Sequence, residues 1–377
     1  MADFLTALRA RAHADADPLR ANALTVDRDP TAVHDTFDRH PHLKAYMGLP
    51  PEYADDPVVI DGTPVHFTTC VEQVVAMEEL ARADAGGVLG LPGPSMSGFV
   101  IAELADADQR DRYYGMLAAR PTWTFFGMTE PGHGSDPAGM GTRLTPDGGG
   151  YALTGTKRYV GNGARAGIGV VFARRAPGPL GVDAVLVETD RPGFTAVPIE
   201  TLGLRGLQLS ELRMREVPVG ERDLLGRHLS ATRRGMTAAV RTFHRYRPVV
   251  SAMALGVAQS AYDYVAEHRP AVDLTDWAGK LAGTRALILG AARIADRDPA
   301  DGTMASAAKI RATRLAEDLT TAAVAHFGPG ARWEHPRLDK LVRDARAFEF
   351  MEGTGNIQRL TLAQGYLHGR LADVAPA

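Results

Sequence analysis

The sequence predicts an α+β multidomain chain, with a β-rich domain set between two helical ones. Three observations predict it. Residues 1–122 carry apolar residues at helical spacing, residues 123–226 break into short β-branched and aromatic runs, and residues 227–377 return to the helical period. The β region reads as a small barrel or sandwich, because turn signals punctuate it at "PDGGG", "APGPLG" and "TDRPG".

In the first region, "MADFLTALRARAHADADPLRA" spaces charges through a short amphipathic helix, unlike a secretory signal. "FTTCVEQVVAMEELARADAG" places Val71, Val74, Val75, Met77, Leu80 and Ala81 at helical spacing. In the third region, "RYRPVVSAMALGVAQSAYDYVAEH" predicts a long helix with Pro248 in its first turn. "TDWAGKLAGTRALILGAARIAD" predicts a second. "TMASAAKIRATRLAEDLTTAAVAHFG" predicts a third, with Leu315, Leu319, Ala322 and Ala323 on one stripe and a stop at Gly328. A last helix is interrupted at "EFMEGTGNIQRL".

Composition is that of a globular chain: 377 residues, 45% hydrophobic, 23% charged, formal net charge −3. The charge and the absence of a Lys/Arg run argue against nucleic acid. Cys70 is the sole cysteine, which excludes an internal disulfide and a multi-cysteine metal site. No apolar stretch reaches membrane-spanning length. The expectation is a cytoplasmic protein without metal.

Four segments carry candidate chemistry, each with a plain structural reading beside it. "TFFGMTEPGHGSDPAG" is a turn between strands or a turn whose amides and Ser135 hydroxyl meet an anion or a ring edge. "YALTGTKRYVGNGARA" holds Asn162-Gly163, a hairpin signal, and Tyr159, either a cross-strand aromatic or a stacking platform. Arg241, Arg245 and Arg247 form a solvated helix start or a cationic rim for an anionic or thioester substrate. Glu352 caps the following helix or acts chemically beside Gly353.

Taken in order, "MTEPGHGSD", "YALTGTKRYVGNG", "TLGLRGLQLSEL", "RYRPVVSAMALGVAQSAYDYV" and "LVRDARAFEFMEGTGNIQRL" resemble the hallmark segments of the acyl-CoA dehydrogenase family. The resemblance covers about residues 70–370. It implies an N-terminal helical domain, a middle β-domain and a C-terminal four-helix bundle, with FAD held between the last two. It implies that Phe126, Met128 and Thr129 line the isoalloxazine. Gly134 and Ser135 would face the pyrophosphate and substrate, and Tyr159, Val160 and Gly161 the ring. Tyr159 stands where the family has tryptophan, and Gly161 where it has threonine. Thr354, Gly355 and Asn356 would touch the flavin, and Arg269 and Gly328 its adenine end across a subunit interface. His244, Arg245, Arg247, Ser135 and Gly353 would meet substrate, and Glu352 would be the base.

The resemblance further implies dehydrogenation of a short acyl thioester on CoA, in a homo-oligomer (dimer or tetramer) that passes electrons to an electron-transfer flavoprotein or to oxygen. The sequence departs from the family after Arg269, where "PAVDLTDWAG" lacks the usual Phe-Gly, at Ala325 in place of glutamine, and at Met351 in place of an aromatic. These departures point to a specialised member. Its alternative substrate is a (hydroxy)acyl group on an acyl carrier protein in polyketide extender-unit or other secondary-metabolite biosynthesis. A flavin monooxygenase on the same fold is the lesser alternative, since such enzymes lack the glutamate.

Overall fold

The computed structural model describes residues 2–370. Helices α1 (Ala2–Asp15), α2 (Asp17–Arg28) and α3 (Val33–Arg39) lead to a two-stranded hairpin of β1 (Val58–Ile60) and β2 (Thr63–Val65). Then come α4 (Cys70–Leu89), α5 (Met96–Leu104) and α6 (Ala107–Ala119). Seven strands follow: β3 (Trp123–Gly127), β4 (Arg143–Asp147), β5 (Gly150–Val160), β6 (Ala166–Arg174), β7 (Val182–Glu188), β8 (Phe194–Pro198) and β9 (Ser210–Val219). The chain closes with α7 (Met236–His268), α8 (Thr275–Arg297), α9 (Thr303–Ala325), the single turn α10 (Ala331–Glu334), α11 (Pro336–Ala347) and α12 (Gly355–Leu367).

Helix α4 starts at a capping box. Thr69 Oγ1 accepts the Glu72 N–H, and the Glu72 carboxylate accepts the Thr69 N–H. It packs along α7, and Gly256 permits the close crossing: a Cβ there would stand 2.3 Å from the Glu78 carbonyl oxygen. Helix α7 starts at Met236, well ahead of the start predicted at the arginines, and Pro248 lies inside it. The proline removes the amide that would bond the His244 carbonyl. Burial of Ala238, Ala239, Val249, Val250 and Leu255 on both sides of it keeps the helix continuous. Helices α8 and α9 pack on α7, with Leu315, Leu319 and Ala323 buried and Ala322 at the edge of that stripe.

The β region resolves the barrel-or-sandwich expectation into one curled, mixed sheet of order β3-β6-β4-β5-β9-β8, with β7 on the other side of β6. Strand β6 is covered on both faces. Ile168, Val170 and Phe172 pack with α5 and α6, while Val171 and Ala173 pack with Phe125 and Val185. That explains its unbroken apolar run. Asn162-Gly163 turns the chain, yet not as a hairpin: β5 pairs with β4 and β9, and β6 with β3 and β7. The Asn162 amide instead donates to the Leu89 carbonyl and ties the turn to α4. The segment boundaries read from the sequence fall between α6 and β3 and between β9 and α7.

Candidate active site

A cleft of about 930 Å³ opens where the sheet, α4, α5, α7 and the α11–α12 connection meet. One wall comes from the sheet and its loops: Phe126, Thr129, Gly134, Ser135, Tyr159 and Gly161. Tyr159 reaches it from a register shift in β5, with a left-handed backbone (φ 60°) that turns its ring outward to 58% exposure. Beneath this wall, Glu130 accepts the Gly141 amide at 2.6 Å, the Thr142 amide at 2.9 Å and the buried Lys157 ammonium at 2.9 Å. Burial opposes ionisation of Glu130, but these donors hold its carboxyl down at about 2.

A second part of the lining is the break between α11 and α12. Glu352 and Gly353 are both left-handed there, with φ 54° and 94°. Glycine accepts this geometry freely and glutamate does not, so something must hold the backbone. The Arg247 Nε donates to the Glu352 carbonyl at 3.2 Å, and the Gln358 amide donates to the Glu352 and Gly353 carbonyls at 3.0 and 2.9 Å. The Lys309 ammonium donates to the Gly353 carbonyl at 2.7 Å and the Glu349 carbonyl at 3.2 Å. Thr354 stands at the N-cap of α12, yet the capping bond is made by Glu349, whose carboxylate accepts the Gly355 N–H at 2.6 Å. That leaves the Thr354 hydroxyl for the cleft.

Glu352 itself lines the cleft and is partly buried. Loss of hydration pushes its carboxyl up to about 7, against the pull of Lys309 and Arg247. A carboxylate of that basicity is suited to proton abstraction near neutral pH. A raised carboxyl that lines a cavity is a combination that marks functional sites.

The cleft suits a flat, partly polar ring. Phe126 and Tyr159 supply aromatic surface, and the hydroxyls of Thr129, Ser135 and Thr354 make no hydrogen bond to any described residue. Gly161 is open to the cleft on one side and tight on the other, since a Cβ there would stand 2.6 Å from Leu207 Cδ1. Leu207 therefore fills the space that a side chain at 161 would need. A Gly161→Ala variant is expected to lose about 1 kcal/mol by overpacking against Leu207, read from chemical denaturation.

The family models for the acyl-CoA dehydrogenase middle domain and C-terminal domain match residues 125–217 and 233–367. Cyclohexane-1-carbonyl-CoA dehydrogenase of Geobacter metallireducens is 31% identical over 309 residues, spanning 78% of this chain and 80% of that protein. This chain belongs to the acyl-CoA dehydrogenase family. The butyryl-CoA dehydrogenase structure from Megasphaera elsdenii superposes with a TM-score of 0.85 at 25% identity, covering 97% of this chain and 99% of that one. The prolyl acyl carrier protein oxidase AnaB shares the fold, with a TM-score of 0.80 at 20% identity over 96% and 98% of the two chains. As an acyl-CoA dehydrogenase the chain is an FAD-dependent oxidoreductase acting on CH–CH bonds of acyl-CoA substrates. Among the described residues no helix is long and apolar enough to cross a membrane.

The site residues read from the sequence divide in two. Phe126, Thr129, Gly134, Ser135, Tyr159, Gly161, Glu352, Gly353 and Thr354 all line the cleft. Met128 and Val160 are buried behind it, and Asn356 is exposed and accepts from Arg359. Arg269 donates to the His326 carbonyl and lies over the Phe327 ring at the far end of α7, near Gly328.

The cationic rim does not form. Arg241 pairs with Glu103, Arg245 donates to the Thr68 carbonyl and lies over Phe99, and His244 packs on the Pro299 carbonyl. Arg247 turns inward to the Glu352 carbonyl. The reason is helical spacing: residues 241–247 lie inside α7, so their side chains fan around it instead of converging. Sequence reasoning missed Lys309, Glu349 and Gln358, which brace the break. A glutamine three residues into a helix and a lysine in an alanine-rich one carry no signal of their own.

Proposed function

We propose that Glu352 is the general base of this site and removes the α-proton of a short acyl thioester. The observation that carries this is that its raised carboxyl lines, from the break between α11 and α12, the same cleft as Phe126, Thr129 and Tyr159. FAD, when bound, supplies the acceptor for the β-hydride, which no side chain offers. Phe126, Tyr159 and the hydroxyls of Thr129, Ser135 and Thr354 would hold it. The amides of Glu352 and Gly353 make no hydrogen bond to any described residue. The Glu352 N–H is thus available to a thioester oxygen as negative charge develops there. The apolar side chains of Met77, Phe99, Val249 and Met253 line the helical end of the cleft and exclude water from the acyl chain.

The likeness to butyryl-CoA dehydrogenase supports a short acyl group. An acyl group on a carrier protein is the second form of the same reading, motivated by the departures after Arg269 and at Ala325. One experiment separates them: anaerobic bleaching of the bound flavin by a panel of short acyl thioesters, each presented on CoA and on acyl carrier protein. Bleaching by members of the panel is expected, and its absence throughout contradicts the proposal.

The pH dependence follows from the base. Glu352 must be ionised to accept a proton, so single-turnover bleaching is expected to be slow in acid and to rise through about pH 7. A rate independent of pH across that range would contradict the assignment.

A further inference from the structure

We propose that Lys309 is a positioning residue for Glu352: from inside the helical bundle, its ammonium holds the carbonyls that bracket the α11–α12 break and keeps the base left-handed and ionised. This rests on the role of Glu352 proposed above.

Lys309 lies on α9 and is fully enclosed. Among the described residues no carboxylate lies within ion-pair distance of it. Among the described residues its acceptors are two carbonyl oxygens, of Glu349 at 3.2 Å and Gly353 at 2.7 Å. A buried ammonium without an ion-pair partner is costly, and a methionine or leucine would fill the same position in an α9–α12 contact. The cost is understandable if the charge serves the break itself. The two carbonyls lie on either side of Glu352, so one ammonium spans the segment that carries the base.

The groups that bear on Glu352 come from α7, α9, α12 and the break itself. Helix α7 contributes Arg247, whose guanidinium is buried on the Glu352 carbonyl, and Tyr246, whose phenol lines the cleft. Helix α9 contributes Lys309. Helix α12 contributes the neutral Gln358, and the break itself contributes Glu349, engaged with the Gly355 amide. Burial drives the Glu352 carboxyl up, and Lys309 and Arg247 are the two groups that pull it back. Burial also brings Lys309 down to about 8, against the pull of Glu349 and Glu352. Removing the positive charge at 309 should therefore make Glu352 harder to ionise.

The test is the pH titration of the bound flavin's absorption spectrum in the holoenzyme, which needs no substrate. Glu352→Gln serves as the blank that removes the contribution of Glu352. In the wild type a Glu352-dependent transition is expected near pH 7. In Lys309→Met its midpoint should move to higher pH by at least about one unit, the usual size for loss of an adjacent opposite charge. Lys309→Arg keeps the charge, so its midpoint should stay while single-turnover bleaching by butyryl-CoA slows, because a guanidinium cannot reproduce the two carbonyl contacts. Flavin affinity should be unchanged in both variants, since Lys309 does not line the cleft.

A merely structural lysine would lower stability and leave the midpoint where it was. An unmoved midpoint in Lys309→Met therefore overturns the proposal. Should that variant not fold, a midpoint shift in Lys309→Arg, with the charge retained, overturns it instead. If the wild type shows no Glu352-dependent transition while Glu352→Gln still abolishes bleaching, this inference fails and the base assignment survives. If Glu352→Gln bleaches normally, the base assignment fails and this inference with it.

Discussion

Glu352→Gln is expected to bind FAD as the wild type does and to lose flavin reduction by about 1,000-fold, the middle of the range that a positioned general base contributes. The substitution preserves size and shape, so the Arg247, Gln358 and Lys309 contacts, which go to backbone carbonyls, survive it. What disappears is the one carboxylate that lines the cleft at the break. Thermal stability should not fall, because the variant removes a charge held at the cost of lost hydration. The check is anaerobic single-turnover bleaching beside a flavin-binding titration. Near-normal bleaching with normal flavin content would mean that another group takes the proton.

The second large effect is on stability. Lys340→Met is expected to destabilise the fold by about 3–5 kcal/mol, because it strands buried acids. The Lys340 ammonium lies 2.5 Å from both Asp84 and Asp344, and all three side chains are almost fully enclosed. Asp84 sits at a non-helical kink inside α4 (φ −161°), where it accepts the Gly86 and Gly87 amides. Asp344 accepts the Leu204 amide at 2.6 Å. Lys340 thus ties α11 to α4, and Asp344 ties α11 to the 203–204 loop beside the cleft. Burial raises the Asp84 carboxyl even with the ammonium present, and without it two enclosed acids would lose their shared cation. Chemical denaturation of the variant checks this, and a loss under about 1 kcal/mol would mean that the triad is better solvated than its enclosure indicates.

Much of the lining of this cleft was legible in the sequence, because it coincides with interruptions of regular structure. "FMEGTG" breaks a helical period with an acid next to a glycine, and the structure shows why: Gly353 takes φ 94° beside a left-handed Glu352. The Met128–Asp136 stretch was legible for the same reason, since glycines and a proline follow the end of a strand where the chain lines the cleft. The β region was legible from its runs of β-branched residues, but its sheet order was not. The Asn162-Gly163 signal describes a local turn, and which strands then pair is decided by burial of β6 on both faces.

The arginine cluster shows the opposite failure. Seven residues rich in cations look like a surface, and only the length of α7, set by apolar burial on either side of Pro248, shows that they point in different directions. Lys309 is the extreme case. Its neighbours Ala308 and Ala312 are small and buried, and a lysine among alanines reads as the solvated side of a helix. Its role comes from a contact across 44 residues of chain to Gly353, which no local pattern encodes.

The most direct measurement of the central claim is single-turnover bleaching of the holoenzyme by the short acyl thioester of the panel that bleaches it, carrying deuterium at the α-carbon, followed from about pH 5 to about pH 9. Expected is slower bleaching than with the unlabelled thioester and a rate that climbs as Glu352 ionises near pH 7. Bleaching that ignores both the label and the pH would contradict removal of the α-proton by Glu352.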